Sequence, residues 1–60
     1  MRTNLTRKER KQIKKYNDCI RPIDKIMRRN NTWYVLFCDS YQYEEAEYMI
    51  DMICEELNLN

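Results

Sequence analysis

The sequence contains no histidine, no glycine and a single proline. Without histidine the commonest general base is missing, and a zinc site would have to be assembled from cysteines and carboxylates alone. Without glycine no backbone loop of the phosphate-cradling kind is expected. The three cysteines, Cys19, Cys38 and Cys54, are odd in number and far apart, with no C-x-x-C spacing. Neither a disulfide framework nor a metal site fits them, so they read as small buried hydrophobes of a reduced, intracellular protein. No apolar run approaches the roughly 18 residues of a membrane span, and the N-terminus lacks a hydrophobic leader. The expectation is a non-enzymatic protein with no metal, no cofactor and no membrane partner, located in the cytoplasm. Asn, Lys, Ile and Tyr beside an absence of glycine hint at an AT-rich genome, such as that of a virus or mobile element. For a viral chain the compartment would be the host cytoplasm.

Sixty residues form at most one domain, and a chain this short buries only about 60% of the surface that its unfolded form exposes. Thr6 followed by Glu9 is a capping-box spacing, which starts a helix over about residues 6–18 with Leu5, Ile13, Tyr16 and Ile20 on its apolar stripe. Pro22 closes that segment. Asn30-Asn31 can take positive φ, and the following "TWYVLFC" is dense in β-branched and aromatic residues. A hairpin follows, with strands 23–29 and 32–38, and a two-residue turn sets Arg28 opposite Trp33, Met27 opposite Tyr34 and Ile26 opposite Val35. The spacing of Ile20, Ile23, Ile26 and Met27 also fits a short helix, so the first strand has a helical rival. The second strand is apolar on both faces and calls for cover on both sides. Asp39 and Ser40 end it and offer an N-cap for a last helix over about 41–57, whose buried face is Ala46, Met49, Ile50, Ile53, Cys54 and Leu57.

The expected fold class is therefore α+β, a small single domain of order α-β-β-α with its hairpin turning at Asn30-Asn31. The alternative is a mostly α chain of three helices, with one strand that pairs across a homodimer.

Charge is where the sequence speaks most clearly. Through Arg29 there are eleven basic residues against three acidic ones, a balance of +8; from Asn30 onward there are seven acidic residues and no basic one, a balance of −7. The basic residues Arg7, Lys8, Arg10, Lys11, Lys14 and Lys15 cover one side of the first helix. Glu44, Glu47, Asp51 and Glu55 form a stripe on the last, with Tyr48 and Met52 beside them. Aromatic and Met residues are enriched at interfaces. The leading expectation is thus a small regulatory or inhibitory protein that docks on another protein through Glu44, Glu47, Tyr48, Asp51, Met52 and Glu55, or else through the basic helix, with competition for a basic groove as one mode of the acidic face. The alternative is a non-specific nucleic-acid-binding module using Arg7, Lys8, Arg10, Lys11, Lys14 and Lys15 on phosphates. Trp33, Tyr34 and Phe37 could stack on bases, but in so small a chain they read as core. A bland account competes with both: the two helices lie side by side and neutralise each other, each exposed pair contributing about 0 to 1 kcal/mol. No catalytic residues are expected.

Overall fold

The first helix begins where the capping box places it. In the computed structural model, which describes residues 3–18 and 20–59, α1 spans Arg7–Tyr16. The Thr6 hydroxyl accepts from the Glu9 backbone N–H at 3.1 Å, and the Glu9 carboxylate accepts from the Thr6 N–H at 2.9 Å. The helix ends two residues short of the expected boundary. Asn17 is buried (4% exposed); its carbonyl accepts from the N–H groups of Ile20 and Arg21, and its side-chain amide donates to the Arg21 carbonyl at 2.7 Å. That network turns the chain toward Pro22, which leaves Ile20 77% exposed instead of on the apolar stripe. Cys19 lies outside the described residues.

Next come β1 (Ile23–Arg29) and β2 (Thr32–Phe37), an antiparallel hairpin. Asn30 and Asn31 both adopt positive φ, 52° and 60°, the backbone of a type I′ turn, whose twist matches that of the flanking strands. The register pairs Arg28 with Trp33, Met27 with Tyr34 and Ile26 with Val35 as expected. A bulge between Ile23 and Lys25 inserts one extra residue into β1. This explains the helix-like spacing of its isoleucines: the bulge resets the alternation of the strand, so Ile23 and Ile26, three apart, both reach the core.

The last helix starts later than expected. The Ser40 hydroxyl does accept a backbone N–H, but from Gln42, only two residues on, which makes a turn and not a helix cap. The chain then runs extended as β3 (Glu44–Glu45), antiparallel to β2 with Tyr34 opposite Glu45 and Val35 opposite Glu44. The Ala46 N–H continues the ladder to the Trp33 carbonyl at 2.8 Å. An apolar strand with an unpaired edge is costly, and β3 satisfies the second edge of β2 within the chain. The three strands lie in the order β1-β2-β3, so β2 has no edge left to offer a second copy, and the three-helix alternative is set aside.

α2 spans Glu47–Glu56. It ends in a Schellman motif: Asn58 takes φ 56°, its N–H donates to Glu55, and the Leu59 N–H donates to the Cys54 carbonyl at 2.8 Å. One core unites Leu5 and Ile13 with Ile23, Ile26, Trp33, Val35, Phe37, Ala46, Ile50, Ile53 and Cys54, and Met49, Leu57 and Leu59 pack against it half-buried. All the strand residues in that set lie on one face of the sheet, and both helices cover it. The small α+β class is confirmed, with a third strand that the sequence did not announce. The cover is one-sided: Tyr34 and Leu36 point to the other face and are half-buried. Cys54 is buried as expected, whereas Cys38, just beyond β2, is exposed.

Candidate functional site

The two poles of the sequence become two sides of the molecule. The Arg10 guanidinium donates to the Ile26 carbonyl at 3.2 Å, and β1 is an outer strand of the sheet, so the Arg10 flank of α1 lies against that outer edge, while Lys15 on the other flank borders Leu57 at the end of α2. Lys25 and Arg29 of β1 are exposed beside it. At the opposite edge stand Glu44 and Glu45, followed by the acidic α2. β2 between them carries no charged residue. Charge therefore changes sign along the strand order.

Five of the six candidate basic residues, Arg7, Lys8, Lys11, Lys14 and Lys15, are exposed or half-buried on α1. Arg10, half-buried like Lys14, differs in its contact: it donates to β1, and its Nε has no partner. It ties α1 to the sheet edge. Neutralisation between the helices is not what the structure contains. Among the described residues, the ion pairs formed are those of Arg21, to Asp39 at 3.1 Å and to Glu44 at 3.2 Å.

The acidic candidates are dispersed. Glu44 is not on a helix; it lies on β3 with its carboxylate on Arg21. Arg21 sits over the Phe37 ring, 3.9 Å from its centroid. Its pKa is raised above the ordinary value, chiefly by the hydrogen bond to Asp39, with smaller contributions from the charges of Asp39 and Glu44. This cluster closes the end of the core. Glu47, Tyr48, Asp51, Met52 and Glu55 do share α2, but Glu47 and Asp51 are half-buried. Tyr48 is 83% exposed and Met52, one turn on, 44%. They form the centre of the outward face, with Glu55 and Glu56 exposed at its C-terminal end.

Of the possible stacking residues, Trp33 and Phe37 are core. The Arg28 guanidinium lies 5.1 Å from the Trp33 ring and donates to the Asn31 carbonyl. Tyr34 is on the uncovered face, where it joins Met27, Arg29, Asn30 and Tyr43 around a half-open concavity of about 250 Å³. Sequence reading passed over this grouping because it placed Tyr43 in the last helix, whereas Tyr43 leads into β3 beside β2. The register between Met27 and Tyr34, which the sequence did predict, is the signal that could have found it.

Among the described residues no group of three or more Cys, Asp and Glu side chains could hold a metal ion, and no helix is long and apolar enough to cross a membrane. Comparison of the chain with known protein families, with characterised proteins and with solved structures finds no match.

Proposed function

We propose that this chain is a small non-enzymatic binding protein, regulatory or inhibitory in type, that docks on another protein through the outward face of α2. The observation that carries this is the exposure of Tyr48 at 83%, with Met52 one turn away, in the middle of an acidic surface. A solvated helix face needs neither residue; a buried anchor in an interface commonly uses both.

The placement of the acids supports the same reading. Glu55 and Glu56 occupy the last turn of α2, which has no basic residue. The helix dipole disfavours negative charge there by about 0.3–1 kcal/mol each. Acidity kept where it weakens the helix fits a partner better than it fits solubility. The partner's chemistry follows: a basic surface with an apolar notch for Tyr48. On this reading the site of action is the cytoplasm, that of the host if the chain is viral.

A second reading has its own observation. No basic residue of α1 pairs with an acidic side chain among the described residues, so the flank formed by Arg7, Lys11 and Lys14 keeps its charge for phosphates.

Two charge-altered variants separate the readings. With the wild-type chain as bait in a lysate of the source cell, Tyr48→Ala plus Glu55→Lys should lose the captured protein, while Lys11→Glu plus Lys14→Glu should keep it. Equal capture by both variants would refute the α2 reading. Titration of labelled duplex at low and physiological salt tests the other: absence of binding at about 100 μM, beyond the weak end of ordinary non-specific affinity, removes it.

A further inference from the structure

We propose that the uncovered face of the sheet binds single-stranded nucleic acid, with one base seated between Tyr34 and Tyr43 and the adjoining phosphates on Arg29 and Lys25. The proposal rests on the second of the two readings above and adds a site to it.

The face carries neither helix, and its Met27, Tyr34 and Leu36 are half-buried. Both helices pack on the opposite side, around Trp33, Val35 and Phe37. Met27 and Tyr34 are directly opposite each other in the register, as are Lys25 and Leu36. Cross-strand neighbours of this kind share a face, so two apolar side chains, an aromatic ring and a cation stand side by side. Tyr43, 39% exposed and just ahead of β3, adds a second ring. Met27, Tyr34 and Tyr43, together with Arg29 and Asn30, enclose the concavity of about 250 Å³.

Charge complementarity selects the occupant. The rings and Met27 offer an apolar slot, which a base fills with its π face, and stacking of that kind tolerates any base. Asn30 offers an amide with both donor and acceptor to the polar edge of a base. Arg29 and Lys25 are exposed on β1, and Arg10 ties its flank of α1 to that same edge. An incoming polyanion thus meets a positive margin that leads onto the rings. On the other side Glu45 stands opposite Tyr34 on this same face, one of its carboxylate oxygens accepting from the Glu47 N–H at 3.1 Å, whereas Glu44 is opposite Val35 of the covered face and pairs with Arg21. The Glu45 charge bounds the site and keeps the backbone of the strand on the β1 side.

The shape favours an unpaired strand over a duplex. A base can enter a slot between two rings only when it is splayed from its neighbours, which single strands permit at little cost and stacked duplexes resist.

The test uses the full chain with fluorescein-labelled oligothymidylate and oligouridylate, and a mixed-sequence duplex of equal length, at about 50 and 150 mM salt. Single strands of either sugar should bind more tightly than duplex. Tyr43→Ala and Tyr34→Ala should each weaken single-strand binding by roughly five- to 150-fold, the loss of one base stack, and Tyr34→Phe should retain it. Arg29→Ala should lower both affinity and the salt slope. Tyr43 lies outside the regular strands, so Tyr43→Ala keeps the test decisive if circular dichroism finds Tyr34→Ala unfolded. Duplex binding that survives both tyrosine changes but vanishes with Lys11→Glu plus Lys14→Glu would overturn the sheet site and leave the basic-helix reading standing. Absence of binding to all three probes at physiological salt would overturn both.

Discussion

The two faces of one small sheet carry opposite chemistry. On the covered face Trp33, Val35 and Phe37 alternate in β2 and are buried under both helices. On the open face Tyr34 and Leu36 come from the same strand, yet they stay half-buried beside Lys25 and Arg29. Hydropathy alone does not distinguish the two sets. What separates them is which side α1 and α2 occupy, and that is decided by the cross-chain company of each residue. One face holds the fold together and the other is left for a partner.

The sharpest way to break the comparison is to truncate one residue on each face. Trp33→Ala should cost about 3–5 kcal/mol, most of the stability a domain of this size possesses. Circular dichroism should find it largely unfolded at 25 °C. Tyr34→Ala, the adjacent residue, should lose about 1 kcal/mol or less and stay folded, since surface changes are usually small. Equal losses would mean that the open face is a second core.

Much of this division was legible in the sequence, and the rest was hidden for identifiable reasons. The hairpin register followed from Asn30-Asn31, because tolerance of positive φ at two successive residues is a local property. The capping box of α1 was local too. The start of α2 was not: Ser40 looks like a cap, and only the need of β2 for a partner on its second edge draws Glu44 and Glu45 into a strand. The same pairing removed Glu44 from the acidic helix face. The bulge in β1 made Ile23 and Ile26 resemble a helix, and the unforeseen β3 concealed that Tyr43 joins Met27 and Tyr34. Charge segregation was visible at once, but whether the poles neutralise each other depends on which side chains meet: Arg10 binds β1, Lys15 borders Leu57 of α2, and among the described residues no ion pair joins the two helices.

The corner between α1 and β1 is the next test in size. Asn17 is the buried polar residue that holds it, through its amide to Arg21 and its carbonyl to Ile20 and Arg21. Asn17→Ala removes the amide and leaves the Arg21 carbonyl without its side-chain donor, a loss of about 1–3 kcal/mol. Urea denaturation should register it as a lower midpoint with an unchanged slope. The loss should fall on the covered face alone, with binding to oligonucleotide at the open face retained in the folded fraction.

Glu55→Gln plus Glu56→Gln should move stability the other way. Removing negative charge from the last turn of α2 relieves its clash with the helix dipole, worth about 0.3–1 kcal/mol per residue at low salt. The melting temperature should rise by a few degrees, and capture of the protein partner should fall. A gain in stability without a loss of capture would make those acids a matter of solubility only.

The smallest effect is expected where the two poles touch. Arg21 lies over Phe37 and bridges Asp39 and Glu44, but its side chain is 41% exposed and those of its partners are 66% and 46% exposed. Exposed pairs contribute about 0 to 1 kcal/mol, less at high salt. Asp39→Asn should therefore shift the denaturation midpoint barely at all, and the shift should vanish in about 0.5 M salt. A larger, salt-insensitive loss would assign Asp39 a part in holding the Arg21 guanidinium over Phe37, so that this contact would count as part of the covered face rather than as a weak link between the basic and acidic sides.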